Sequence, residues 1–220
     1  VAGPAPPPLD LGRVVRRWES TTSCYFRVRD RGLFPSLRST ELVWVNGAYA
    51  ELEPPARPLL TLVGPSMFGP PEKVHIDQTE TDKPGLILRD YGQGRLAWLP
   101  WDLGRLYYYH SSPVHAGVLA DLVDHLLPRG RQVRTNAHPL VEITVMRQQG
   151  RRLVQLVNVS GHSSTGYFAP LPMSDLRVAV AGSFSRARAL RAGVTLDVRP
   201  VDGAGEFTLP RLVDYELVVV

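Results

Sequence analysis

Residues 91–110 constrain the fold of this 220-residue chain more than any other stretch. Leu86 to Leu88 is an apolar run, Tyr91-Gly92-Gln93-Gly94 is a turn that glycine makes cheap at positive φ, and Arg95 to Leu99 is a second apolar run. Together they predict a β-hairpin. Pro100 ends the second strand, and Trp101, Tyr107, Tyr108 and Tyr109 crowd its exit. Ser112-Pro113 then opens a segment in which Val114, Val118, Leu119, Leu122, Val123, Leu126 and Leu127 recur at helical spacing, which predicts an amphipathic helix.

Around this centre the chain reads as two units. Residues 1–8 hold four prolines and no periodicity, and read as a tail. Leu11, Val14, Val15 and Trp18, spaced three and four apart with Asp10 near their start, predict a short helix over 9–18. Strands are expected over 23–28, 40–45 and 59–63, followed by proline-rich turns at Pro65, Pro70-Pro71 and Pro84. Gly130, Asn136 and Pro139 fall in a stretch without periodicity, so 129–137 reads as a linker. Beyond it, apolar runs at 141–147, 152–159, 176–181, 186–190, 194–199, 205–209 and 213–220, separated by turns, indicate an antiparallel β-sandwich over 138–220.

Composition narrows the function classes. Cys24 is the single cysteine, so no intrachain disulfide can form. No apolar run reaches the roughly 20 residues of a membrane helix, and no basic segment followed by an apolar core opens the chain; a cytoplasmic protein without membrane contact is expected. The net charge is +4, yet only Lys73 and Lys83 among the 25 basic residues are lysine. The chain carries −1 up to Pro128 and +5 after it. Arg129, Arg131 and Arg134 sit in the expected linker, and Arg147, Arg151 and Arg152 flank a hairpin turn, where solvated charges are ordinary. With no groove-reading helix and no aromatics interleaved with the arginines, nucleic acid is not an expected partner.

Candidate chemistry is sparse. Asp121 and His125, at i and i+4, would share a helix face with a spacing able to bind a metal, but a simple charge pair explains them as well, and no metal or other cofactor is expected. His115 with Asp121 supports only a weak reading as a stand-alone enzyme. Asp102 and Glu72 could form a glycosidase acid and base only if their carboxyls stood about 5 to 10 Å apart in a cleft, which sequence cannot test. Cys24 lies in an extended pattern instead of a nucleophile elbow and reads as a buried strand cysteine. Asn158-Val159-Ser160 fits a glycosylation acceptor, at a strand end. Trp98, Trp101, Tyr107, Tyr108 and Tyr109 remain, because aromatic faces stack on the C–H faces of sugars; Trp98 reads as core, and the tyrosines as packing, a subunit contact or a sugar platform.

The Tyr91-Gly-x-Gly-Arg95 turn, the strand ending in Pro100-Trp101, the Gly104-Arg105-x-Tyr107-Tyr108 segment and the following helix resemble the end of the β-galactosidase trimerisation domain. That is the class I amidotransferase-like module that follows the catalytic barrel in glycoside hydrolase family 42 and related glycosyl hydrolases. Residues 141–160 resemble the first hairpin of the small β-sandwich that closes such proteins, and 207–219 its last strand. The resemblance implies an α/β or α+β chain: an incomplete amidotransferase-like, flavodoxin-like domain over 9–128, then the sandwich. It further implies that the catalytic barrel, with its carboxylate pair, lies upstream of Val1, and that this chain serves assembly and support without catalysis. The expected partners are a second copy of the chain or that barrel, with Trp101, Arg105, Tyr107, Tyr108 and His110 as contact residues for a subunit or a carbohydrate. The alternative from another class is a carbohydrate-binding module using the aromatics of 98–109.

Overall fold

In a computed structural model the chain forms two compact units that divide between Arg129 and Gly130. The structure describes residues 11–55, 57–65, 70–73 and 79–220. The proline-rich tail expected over 1–8, and Asp10 at the expected helix start, lie outside these residues.

The first unit runs β1 (Val14–Trp18), β2 (Cys24–Val28), β3 (Leu42–Val45), β4 (Tyr49–Leu52), β5 (Leu60–Val63), β6 (Glu80–Pro84), β7 (Ile87–Tyr91), β8 (Gly94–Trp98), α1 (Leu103–His110) and α2 (Pro113–Leu126). The strands form a four-stranded sheet, β3-β2-β5-β6, and the pairs β1-β4 and β7-β8. The β7-β8 hairpin turns at Gly92, whose φ of +56° lies in the left-handed region that glycine enters without strain. Along β2, Cys24, Phe26 and Val28 face the core and the intervening residues do not, the period-two signature of a half-buried strand. Phe26, Val43, Val45, Tyr49, Leu60, Trp101, Leu103 and Val118 share one core, and Leu11, Leu52, Ile87 and Trp98 a smaller one.

The expected flavodoxin-like α/β domain does not form. A doubly wound fold needs parallel strands joined by crossover helices. Here every strand pairing of the first unit is antiparallel, strands dominate the described residues, and α1 and α2 are the α-helices among them. The helix expected over 9–18 is also corrected: Val14–Trp18 is a strand, paired with Tyr49–Leu52. Val14 and Val15 are β-branched and suit a strand. The Trp18 indole donates across the pairing to Glu51 Oε2 at 2.8 Å, an interaction between positions far apart in sequence.

The second unit runs β9 (Val133–Thr135), β10 (Val141–Gln148), β11 (Arg151–Asn158), β12 (His162–Ser163), β13 (Gly166–Tyr167), β14 (Met173–Ala181), β15 (Ala187–Ala189), β16 (Val194–Leu196), β17 (Val198–Val201), β18 (Ala204–Leu212) and β19 (Tyr215–Val219). It is a β-sandwich of a five-stranded sheet, β10-β11-β19-β15-β16, and a four-stranded sheet, β17-β18-β14-β9. Val154, Leu156, Ala189 and Val218 from one sheet and Val178, Val180, Phe207 and Leu209 from the other fill its core. The buried Glu216 carboxylate accepts the backbone N–H groups of Arg191, Ala192 and Leu217, so it holds the turn after β15. Asn158 is buried, and its amide nitrogen donates to the carbonyls of Leu171 and Val213, both at 2.7 Å. A glycan cannot be joined to that nitrogen while the sandwich is folded. No helix among the described residues is long and apolar enough to cross a membrane.

Candidate functional site

The strand exit that the sequence singles out divides into an inner and an outer half. Pro100 O accepts the Ala50 N–H at 2.9 Å, and Tyr49 and Trp101 form an antiparallel bridge, so the chain leaving β8 is fastened to β4. This fastening turns Trp101 inward. Its side chain is fully buried, its indole N–H donates to Gly85 O at 2.8 Å, and its ring lies 5.2 Å from that of Phe26. Gly85 is required there, because a Cβ would stand 2.5 Å from the Phe26 ring. Leu103 and Leu106 anchor α1 to the same core, and Ser111, left-handed at φ +46°, ends the helix by donating its N–H to Tyr107 O.

The outer half is what α1 leaves uncovered. Tyr107 is half-buried, whereas Tyr108 and Tyr109 are 80% and 69% exposed, with their rings edge to face at 5.2 Å. Arg105 is exposed, and its guanidinium lies over Gly47, where a Cβ would meet Nη2 at 2.8 Å. His110 sets its ring edge-on to Trp44 at 4.9 Å. Of the five contact residues named from sequence, Arg105, Tyr108 and His110 are exposed on α1, Tyr107 is half-buried, and Trp101 is buried with no ring face open to a ligand. Trp98 is likewise fully buried. Chemically, the surface offers two aromatic faces with phenolic hydroxyls and a flanking cation, which suit a sugar ring or an apolar protein surface.

Behind this face lies His115. It is 1% exposed, its Nε2 stands 2.7 Å from Trp44 O, and its ring stacks on Trp44 and meets Trp101 edge-on. A carbonyl only accepts, so Nε2 carries the proton and Nδ1, which is buried and has no partner among the described residues, is bare. Burial pushes the imidazole pKa below its ordinary range, and nearby His110 pushes the same way, against the Trp44 hydrogen bond. Asp121 does not reach toward His125: Oδ1 accepts the Ser36 hydroxyl at 2.7 Å and Oδ2 the Ser36 N–H at 3.0 Å, which fixes α2 on the turn at Pro35–Leu37. His125 is exposed, Glu72 lies in an exposed short turn, and Cys24 is a buried strand residue whose thiol pKa is raised by burial.

Sequence reading missed the buried Glu51, which takes the Trp18 indole N–H and an ion pair from Lys83 Nζ at 3.1 Å, while Arg16 and Lys83 lie over the Trp18 ring. No local signal marks it, since its partners come from two other strands, β1 and β6. It also missed Trp44, a half-buried member of the His110 and His115 cluster. The alternation of β3 marks Trp44 as facing away from Val43 and Val45.

No family model matches the sequence, and no curated protein matches it. Among solved structures, the chain is similar to α-L-fucosidase isoenzyme 2 from Paenibacillus thiaminolyticus, with a TM-score of 0.66 at 17% identity, over 90% of this chain and 32% of that one. The β-galactosidase from Bacillus circulans sp. alkalophilus aligns at a TM-score of 0.39 and 15% identity, over 94% of this chain and 24% of that one. These structural neighbours are glycoside hydrolases. The chain spans about a third of the length of the fucosidase, and at 17% identity the likeness is one of fold. The β-galactosidase alignment is too weak to carry any argument.

Proposed function

We propose that this chain is a non-catalytic accessory region of a glycoside hydrolase, working by assembly with a second copy of itself or with a catalytic barrel outside these residues. The observation that carries the reading is the shared fold with part of a fucosidase, over nine-tenths of this chain but only a third of that enzyme. Its contact surface is the outer half of the strand exit: Tyr108 and Tyr109, with Arg105, Tyr107 and His110 around them. Tyrosines are favoured at contacts because a large ring is buried there at little entropic cost while the hydroxyl stays satisfied. Location in the cytoplasm belongs to the same reading. The trimerisation role implied by the sequence resemblance enters only as self-association, since the amidotransferase-like fold is absent.

The exposure of Tyr108 and Tyr109 side by side also favours a second reading, a carbohydrate platform reduced to these two rings. Either way, the chain itself is expected to hydrolyse no aryl glycoside, because glycoside cleavage needs an acid and a second carboxylate facing each other across a substrate cleft. Release of nitrophenol from nitrophenyl galactosides or fucosides by the purified chain, abolished in Asp102→Ala or Glu72→Ala, would overturn the non-catalytic reading.

A further inference from the structure

The hairpin of β10 and β11 breaks a local rule. Val141, Ile143 and Val145 of β10 and Val154 and Leu156 of β11 turn toward the sandwich core, and the same alternation carries Arg147 and Arg152 onto that inner face at its open end. The two arginines are also direct cross-strand partners. Like charges placed opposite each other destabilise a strand pair, and among the described residues no carboxylate pairs with either. A fold that keeps an uncompensated charge pair on an inward face points to a function for it.

The arginines line a depression of about 270 Å³, whose other walls are Gln132, Val145, Val180 and Ala181. Arg152 is held in place: it donates to Ala181 O, and its guanidinium lies 5.1 Å over the Phe184 ring. That ring rests on Gly205, where a Cβ would approach it to 2.5 Å. The Arg147 side chain makes no hydrogen bond or ion pair among the described residues, so its full fork of donors is open to a ligand. One fixed guanidinium facing one free guanidinium matches the bidentate geometry that carboxylates and sulfates take. Val145 and Val180 supply an apolar wall beside it.

We infer that this end of the sandwich binds an acidic saccharide, gripping its carboxylate or sulfate ester between Arg147 and Arg152. The anion site rests on the geometry above; the saccharide rests on the accessory role proposed for the chain. Arg151 provides the control, since it carries the same charge on the same hairpin but faces outward.

The test is calorimetry on the whole chain at about 150 mM salt, where non-specific charge attraction is screened. The probes are trigalacturonate, galactose 6-sulfate, neutral galactotriose and sodium sulfate. The expected result is binding of one or both acidic sugars and not of galactotriose, weakened about tenfold or more by Arg147→Gln and less than about twofold by Arg151→Gln. Which acidic sugar binds tells carboxylate from sulfate. Because Arg147 is exposed, its replacement leaves the fold intact, and circular dichroism checks this. Equal loss in Arg147→Gln and Arg151→Gln, or equal binding of galactotriose, would overturn the site. Failure of every oxyanion to bind would overturn it too, without touching the accessory role. Sulfate bound through Arg147 with no saccharide bound would uphold the anion site and overturn the saccharide, again without touching the accessory role, which rests on assembly.

Discussion

Replacing Trp101 separates the core from the contact surface. The side chain is fully buried against Phe26 and His115, and its N–H is the donor to the buried Gly85 carbonyl. Trp101→Ala removes the ring and leaves a cavity, at about 3–5 kcal/mol for a buried aromatic. Trp101→Phe keeps most of the ring but strands the Gly85 carbonyl, at about 1–3 kcal/mol. Both are large against the roughly 5–15 kcal/mol that holds an ordinary domain. Tyr108→Ala, at an 80% exposed position, is expected to change stability by about 0.5 kcal/mol or less. Urea unfolding followed by tryptophan emission reads the difference cleanly, because Trp18, Trp44, Trp98 and Trp101 all lie in the first unit and three remain in either variant. With a slope of about 1–3 kcal/mol per molar urea, Trp101→Ala should lower the midpoint by at least about 1 M. A loss under about 1 kcal/mol, or one no greater than that of Tyr108→Ala, would refute the placement of Trp101 in the core.

Two further outcomes follow from buried groups. The folded state holds His115 neutral with its pKa below the ordinary value of about 6.5, so the unfolded chain binds the extra proton first as pH falls. Stability from this group is fully present above about pH 6.5 and is lost below it, until the folded imidazole titrates as well; the urea midpoint of the parent should therefore fall toward that of His115→Gln between pH 7.5 and 5, and a constant gap would contradict the assignment. Gly85→Ala should destabilise the first unit by about 1–3 kcal/mol, because the new methyl group meets the Phe26 ring, itself without room to move; an unchanged midpoint would show that this packing relaxes freely.

What sequence could reveal here was local. The hairpin around Gly92 and the helix from Pro113 are each written in a few adjacent residues: glycines in a turn, proline at a helix start, leucines and valines three and four apart. The sheet directions are not. Short apolar runs say that strands exist, not whether neighbours run parallel, so the resemblance of one turn and one strand exit carried an α/β expectation that the antiparallel pairings overrule. At Val14–Trp18 the helical spacing of Leu11, Val14 and Trp18 coexisted with β-branched residues, and pairing with Tyr49–Leu52 decided between them. Helix α1 had no signal at all: its residue before the start, Asp102, makes no side-chain cap, and Gly104 with three tyrosines is a poor helix former. Trp101 could not be assigned from sequence because the groups that bury it, Gly85 and Phe26, are 16 and 75 residues away. Arg147 could have been found: the alternation Val141, Ile143, Val145 places it on the apolar face, where an arginine at a hairpin end is no longer just a solvated charge.

The central claim, that the chain works by contact through the outer face of α1, is tested most directly by sedimentation equilibrium of the parent and of the double variant Tyr108→Ala/Tyr109→Ala. Removing two exposed rings leaves the core of the first unit untouched. The account predicts that the parent self-associates, that the variant sediments with a lower mass, and that calorimetry finds the same affinity of both for galactosides and fucosides. A variant that keeps the parent's mass contradicts the account: with sugar binding lost the face is a carbohydrate platform, and with neither property changed the contact surface lies elsewhere.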